Sequence, residues 1–599
     1  MSLGIERRIQ DDLHSVAQAA NVIGVRNGAR QDVLEDLKAV ERGLSTLPHP
    51  EEKGFRAILP LSTLHQQIFK AQAKLWQAMG IPALMVWSSD IWAPLSHIKP
   101  PMPEGKPILE ISMMQNEYRA GALNLSLATD NPLAINLQIT GLPGGTNPPY
   151  ITVNEVPWTD TRSGIPVAAA LQKVMEKESA FPISVSPGLT RQVWFTFHPT
   201  NVPPGVYAGN IVIAAPSTNI SVPITFHIYP LRFPDVPTLH VGGWDYTDSE
   251  SYREITPLNR DDLIAHLRDH FVDSPWATSS ILSSGNYAAA GKIIRDPDTL
   301  RFDQWVAKWH NARQYCVFAN VKAQFEGSRM DTPEFHCKVD AWITFWAQHA
   351  QRLGLKPQQL ILLLVDEPSK PEEDAIILAW AKTIRAANTG VRIWEDPCHK
   401  NPLSANQQMM AAYDVICPNR PTFIGSGKGY RNYFLRQHEQ GAELAFYSCQ
   451  GPAPLLDPYS YYRLQAWSCW QYGAQSSYFW AFSDGGGGSS WNEYAAKGST
   501  YVPFFLDARS VTPAKQMEAL REGVEDYEYL VMLRDKIARA EKSGVHGSIL
   551  DRAKMLLREA PLRVCDAPGA SDFKWADEKD CTIADKVRVE ILDALMALP

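Results

Sequence analysis

Apolar positions along this chain keep three successive rhythms, and each predicts a different kind of structure. Up to residue 105 they recur at helical spacing around 11–45 and 63–78, ahead of an aromatic-rich segment at 84–93, which predicts a helical N-terminal extension or cap. From 106 to 232 the period falls to two, as in Ala122-Leu123-Asn124-Leu125-Ser126-Leu127, or the run is continuously apolar, as in Ile211-Val212-Ile213. Gly, Pro and Asn turns separate these runs, the pattern of a β-sandwich, and Pro230–Pro237 reads as a linker. In the third region, 233–560, short apolar strands alternate with helical segments. The strands fall at 238–244, near 268–273, and at 314–320, 360–366, 390–395, 414–418, 443–448 and 477–483, and the helices at 260–268, 333–352, 371–387, 403–412, 429–440 and 458–470. Eight strands interleaved with helices predict a closed (β/α)₈ TIM-like barrel, with 511–560 completing its outer layer and 561–599 as a C-terminal extension. The expected fold is therefore multidomain: a helical extension, a β-sandwich and a barrel.

In such barrels the chemistry gathers where strands end. The run Ile361–Val365 leads directly into Asp366-Glu367-Pro368, two adjacent carboxylates at the exit of a buried strand. Other exits carry Trp244-Asp245-Tyr246, Asn320, Trp394-Glu395-Asp396, Asn419, Tyr447 and Trp480 through Asp484. Aromatic faces beside carboxylates and amides suit a sugar, whose C–H faces stack on rings while its hydroxyls need hydrogen-bond partners. Each residue also has a plainer use. Trp244 and Trp480 suit packing, Asp245 and Asp484 turn caps, Asn320 and Asn419 loop anchors, and Tyr447 a supporting hydrogen bond. The glycines Gly485–Gly488 suggest a flexible rim loop that brings Trp491 or Asn492 to a ligand.

Adjacency constrains what Asp366 and Glu367 can do. Successive side chains of a regular strand face opposite ways, so the strand must lose its geometry at the pair if both are to serve one pocket, although Pro368 favours an extended Glu367. Neighbouring carboxyls are poorly placed as the two opposed groups of ordinary retaining hydrolysis, which stand about 5 Å apart across the sugar. They suit two tasks on one side: Glu367 as proton donor to a glycosidic oxygen, and Asp366 as the group that orients a substrate acetamide whose own carbonyl oxygen attacks.

Composition narrows the partners. A net charge of -8, from 57 basic and 65 acidic residues, gives no electrostatic case for nucleic acid. The expected partner is an oligosaccharide or glycoconjugate; no membrane insertion is expected, and a homo-oligomer is left open. The eight cysteines form no Cys-x-x-Cys pair and read as reduced thiols, with a Cys565–Cys581 clip conceivable. Gly425-Ser426-Gly427-Lys428-Gly429 lacks full phosphate-loop spacing, and His266, His270, His336 and His399 form no zinc motif, so neither cofactor nor metal is expected. The start has no signal-like apolar core, which reads as cytoplasmic if native, or as periplasmic or secreted if a leader was removed.

Val365-Asp366-Glu367-Pro368, the aromatic segment Trp467–Trp480, and Leu520-Arg521-Glu522-Gly523-Val524-Glu525-Asp526-Tyr527-Glu528-Tyr529-Leu530 together resemble glycoside hydrolase family 123 and the related DUF4091-containing proteins. The resemblance covers the C-terminal two-thirds. It implies removal of β-linked N-acetylgalactosamine with participation of the substrate acetamido group, Asp366 orienting that group and Glu367 acting as general acid/base. Hydrolysis of a glycan lacking an acetamido group, or carbohydrate binding without turnover, are the alternatives. Residues 521–527 are expected to be architectural, with Arg521 and Glu525 paired on a helix against the barrel wall.

Overall fold

The computed structural model describes residues 1–21, 27–47, 50–103, 105–216, 218–249 and 251–599. The helical pattern at 11–45 resolves into two helices, Ser2–Ala20 and Asn27–Gly43, with residues 22–26 outside the described set. A third helix, Thr63–Ala78, begins where the Ser62 hydroxyl accepts the His65 N–H. Ile5, Ile9, Val16, Val33, Leu37, Val40, Ile68 and Leu75 form the core of this extension. A buried carboxylate also pins it: Asp12 accepts from His65 at 2.8 Å and His97 at 2.7 Å, and pairs with Arg8 at 2.5 Å.

The sandwich starts earlier than the period-two region suggests. Leu84–Trp87 pairs antiparallel with Arg119–Leu127 and edges a sheet completed by Thr190–Phe197, Ile151–Val156 and Gln172–Lys173. The facing sheet runs Leu109–Gln115, Thr218–Arg232, Gly205–Ala215, Leu133–Thr140 and Phe181–Val185. Strand Thr218–Arg232 therefore takes in the first residues of the expected linker. Leu123, Leu125 and Leu127 meet Ile211, Ile213, Val222, Ile224 and Phe226 between the sheets. The polar face of that alternation is covered too, which alternation alone does not reveal. Asn124 accepts from Gln192 at 3.0 Å and donates to Ser89 at 2.9 Å, and Ser126 shares a hydrogen bond with Thr190 at 2.8 Å, so these buried groups find partners within the sheet and its cover.

The barrel is present, with all of its strands parallel: His240–Gly242, Trp276–Ala277, Tyr315–Phe318, Leu360–Leu363, Arg392–Glu395, Val415–Ile416, Glu443–Ser448 and Ser476–Phe479. A Gly242–Ser274 bridge closes the ring. One expected strand is displaced, because 268–273 holds the end of helix Arg260–Asp269 and a turn, and the second strand is Trp276–Ala277. Helix Leu300–Lys308, between the second and third strands, was not anticipated. Aromatic rings plug the interior: Trp276 lies 5.0 Å from Trp394 and 5.8 Å from Tyr478, centroid to centroid.

Helix Lys515–Lys542 is buried along most of its length because it fills the seam between sandwich and barrel. Arg119 of the sandwich and Arg463 of the barrel both reach its Glu522, at 2.9 and 3.2 Å, and Asp526 binds Arg463 at 2.7 Å and the Trp467 indole at 2.9 Å. Arg521 pairs with Glu518 rather than Glu525, and lies 4.0 Å above the Tyr118 ring. Glu525 instead accepts the Tyr118 N–H at 2.7 Å. The architectural expectation for this segment thus holds, with the sandwich as well as the barrel as its partner. Helix Ser548–Cys565 crosses the expected boundary at 560, and Ile583–Ala597 packs into the same core through Ile591, Leu592 and Leu595. All eight cysteines are free, so no Cys565–Cys581 clip forms.

Candidate active site

The fourth strand ends at Leu363, three residues short of the expected limit, and a carboxylate takes over where the ladder stops. Glu395, fully buried, accepts the Leu364 N–H at 2.9 Å, and Asp396, equally buried, accepts the Glu367 N–H at 2.9 Å. With its backbone held there, Glu367 adopts φ +45°, the left-handed region that an ordinary side chain enters at a cost of about 1–3 kcal/mol. The loss of strand geometry demanded by two adjacent carboxyls is therefore real, but Glu367 is left-handed rather than extended. Tyr246 and Asn320, at the first and third strand exits, share this conformation at φ +49° and +48°.

Tyr447, at the seventh strand, donates its hydroxyl hydrogen bond to Glu367 Oε1 at 2.6 Å. The Cys398 Sγ lies 3.3 Å from the same hydroxyl, and the Cys398 N–H donates to the Pro368 carbonyl at 2.9 Å, tying the fifth-strand loop to the fourth. Asp366 is solvent-accessible at the mouth, yet the walls around its carboxyl desolvate it. That, with the nearby Glu367 charge, pushes it up to about 6, against a hydrogen bond from Asp396 that works the other way. Burial drives Glu395 and Asp396 well above the usual carboxylate range. Burial, with Tyr252 and Asp366 adding to it, also raises Tyr246.

The other anticipated residues divide into two groups. Trp480 stays partly open at the rim, 5.8 Å from Trp244 and 6.3 Å from Tyr246 between ring centroids. Arg253 lies over it at 5.8 Å and binds Asp484 at 2.9 Å, so Arg253, Trp480, Tyr246 and Asp484 form one wall. Asn320 is exposed and accepts from Lys322 at 2.7 Å.

The second group is turned to structural ends. Asp245 is sealed off, its oxygens taken by Thr247 at 2.5 Å and by the Trp276 N–H at 2.8 Å, and burial pushes it up to about 7. Trp244, stacked on Trp276 at 4.5 Å, and Trp394 belong to the aromatic plug. Glu395 is fully buried beneath the mouth. Asn419 caps helix Arg420–Gly425 by accepting the Thr422 N–H at 3.1 Å. Trp491 is buried on Phe505 with Arg56 above it at 4.3 Å, and Asn492 reaches Met1, so both face the N-terminal extension instead of the mouth. Gly485–Gly488 is a held loop: the N–H groups of Gly485, Gly487 and Gly488 all donate to Glu254, at 2.7, 2.9 and 3.0 Å.

Asp396 stands at the fifth strand exit with Trp394 and Glu395, but neither its hold on the Glu367 backbone nor the place of Cys398 beside Tyr447 has a signal in the sequence. Arg253 carries no comparable signal, since it lies deep in the polar loop between the first strand and helix Arg260–Asp269 and not at the strand's exit.

This architecture is shared with a known hydrolase. The fold matches a family 123 glycoside hydrolase from Clostridium perfringens, a structure concerned with glycolipid glycan hydrolysis, with a TM-score of 0.62 at 12% identity, covering 86% of this chain and 98% of that one. An endo-β-1,4-mannanase from Thermotoga petrophila (TM-score 0.33, 10% identity, 49% of this chain and 77% of that one) and a broad-specificity endoglucanase from Ruminococcus champanellensis (0.32, 11%, 48% and 96%) align more loosely. No family model and no curated protein matches the chain.

Proposed function

We propose that this chain is a glycoside hydrolase that releases terminal β-linked N-acetylhexosamine, with N-acetylgalactosamine as the expected sugar, by substrate-assisted retaining hydrolysis. The observation that carries this reading is the disposition of carboxylates at the barrel mouth. Asp366 and Glu367 are accessible and adjacent, whereas Asp245, Glu254 and Asp484 are engaged by backbone N–H groups, Thr247 or Arg253. That arrangement favours a nucleophile brought by the substrate.

In this mechanism the acetamido carbonyl oxygen attacks C1 as Glu367 gives its proton to the departing glycosidic oxygen. Asp366, ionised, accepts the acetamido N–H and stabilises the cyclic oxazolinium that forms. Glu367, now the base, takes a proton from the water that opens the ring, and the anomeric configuration is retained. Tyr447 fixes the Glu367 carboxyl through its 2.6 Å hydrogen bond. Trp480 offers a face for the sugar ring.

The test is release of an aryl leaving group from β-N-acetylgalactosaminide, its glucosamine analogue and the matching 2-hydroxy sugars. Turnover confined to the 2-hydroxy sugars overturns the acetamido route, and binding without turnover across a glycan panel overturns hydrolysis. Glu367→Gln is expected to lower kcat by about 10²–10⁴-fold on poor leaving groups and less on activated ones.

A further inference from the structure

Arg253 and Glu254, consecutive in the loop after the first strand, hold the rim in two ways. Arg253 sits at φ +51°, in the left-handed region, and the two side chains go to different tasks. Glu254 takes the N–H groups of Gly485, Gly487 and Gly488, while Arg253 reaches Asp484 at 2.9 Å and lies 5.8 Å over the Trp480 ring. The backbone around Asp484 is fixed as well: its carbonyl accepts the Tyr501 N–H at 2.8 Å, and the Ser483 hydroxyl before it donates to the Trp244 carbonyl at 3.1 Å. The pair still has capacity to bind. Both hydrogen bonds to the Asp484 carboxyl, from Arg253 and from the Gly486 N–H at 3.1 Å, go to Oδ1, so Oδ2 has no donor among the described residues. Arg253 gives Nη1 to Asp484, out of the five N–H donors a guanidinium carries, and 39% of its side chain is exposed. A donor group and an acceptor oxygen therefore stand side by side at the Trp480 ring. The Trp480 N–H in turn donates at 3.0 Å to the carbonyl of Ser448, next in the chain to the Tyr447 that holds Glu367.

We propose that Arg253 and Asp484 are the specificity-determining pair of this site: they grip two neighbouring hydroxyls of the terminal sugar as its ring lies on Trp480, and the C4 hydroxyl is one of the two. A hydroxyl both donates and accepts, so neighbouring hydroxyls complement a carboxylate oxygen beside a guanidinium. An acidic sugar substituent fits less well, because the guanidinium is already paired with Asp484 and the mouth holds the accessible carboxylates Asp366 and Glu367. The assignment of C4 rests on the reaction proposed above. There C1 carries the leaving group and C2 the acetamide, which leaves hydroxyls on C3, C4 and C6, and either neighbouring pair among them includes C4. Galactosamine and glucosamine differ only in configuration at C4, so this pair sets the choice between them.

Equilibrium binding of methyl β-N-acetylgalactosaminide to the whole protein, measured by titration calorimetry against analogues lacking the C3, C4 or C6 hydroxyl, tests the pair without requiring turnover. In wild type, loss of the C4 hydroxyl and loss of one neighbour are each expected to weaken binding about 10–100-fold, the effect of removing a hydrogen bond to a charged group. Arg253→Met keeps the reach of the side chain and removes its donors. It is expected to weaken the parent sugar by a similar factor, yet to bind one of those two analogues as tightly as wild type does, because that analogue lacks the hydroxyl the guanidinium holds. An analogue without the C4 hydroxyl that binds wild type like its parent overturns the proposal. So does an Arg253→Met variant that weakens the parent and every analogue alike, the mark of a merely structural arginine. Turnover keeps the two readings apart: hydrolysis together with either of these results rejects the pair and leaves the reaction, whereas discriminating binding without hydrolysis rejects the reaction and leaves the pair.

Discussion

Asp366 is ionised at the expense of the fold. Its carboxyl is pushed up to about 6 from an unfolded value of roughly 3.9, chiefly by desolvation and then by Glu367. Between those values the native state binds more protons than the unfolded chain, so stability falls as pH rises through the window and is level above it. The contribution is full below about pH 4 and gone once the pH has passed 6. Asp366→Asn removes the charge, and its melting temperature is expected to exceed that of wild type at pH 7.5, with the gap closing toward pH 4, even as attack by the acetamide slows. Thermal melts at the two pH values decide this; a gap that stays constant rejects the assignment. A group that the proposed mechanism requires charged is thus held where charge is costly, with Asp396 and the mouth's solvent offsetting part of the cost.

Among the elements, helix Lys515–Lys542 poses the clearest question of sign. Gly523 sits in its interior, where alanine would ordinarily gain about 1 kcal/mol of helix propensity. A Cβ there would stand 2.5 Å from the Arg463 backbone carbonyl oxygen, and backbone does not yield as a flexible side chain does. Gly523→Ala is therefore expected to destabilise by about 1–3 kcal/mol, as overpacking does, measured by urea unfolding; a stabilised variant would show that this approach is not tight.

Elements were legible in sequence where one signal ran long enough. Helix Pro333–Arg352 appears as expected, with Pro333 in its first turn and the Thr332 hydroxyl accepting the Phe335 N–H. The continuous apolar run before Asp366 located the fourth strand and, through it, the candidate acid pair. The second strand was missed because Trp276–Ala277 is too short to make a run and follows Asp273-Ser274-Pro275. Asp245 and Asp484 look alike in sequence, each just past a barrel strand, yet one is sealed beneath the mouth and the other binds rim Arg253. Such a difference is set by backbone direction over two or three residues, which no periodicity records.

For the molecule as a whole, the sandwich and barrel have no ordinary linker between their cores. Glu117, Arg119, Arg463, Glu522, Asp526 and Arg588 make a buried ionic network drawn from both bodies and from the helices between them. Removing one member of such a network leaves a buried charge without its partner, at about 3–5 kcal/mol. Sandwich and barrel are accordingly expected to melt in one calorimetric transition. Two resolved transitions, with the sandwich surviving the barrel or the reverse, would show the seam to be weaker than its burial suggests.

The seam also orders events during synthesis. Asp526, one of the buried acidic partners of Arg119, leaves the ribosome 407 residues after it. At about 5–20 residues per second, that interval is roughly 20–80 s. For that time Arg119 has Glu117 of its own domain beside it but neither Glu522 nor Asp526, and the face that the helix covers stands open, so a chaperone that shields this face during translation would act on a wait that the order of the chain imposes.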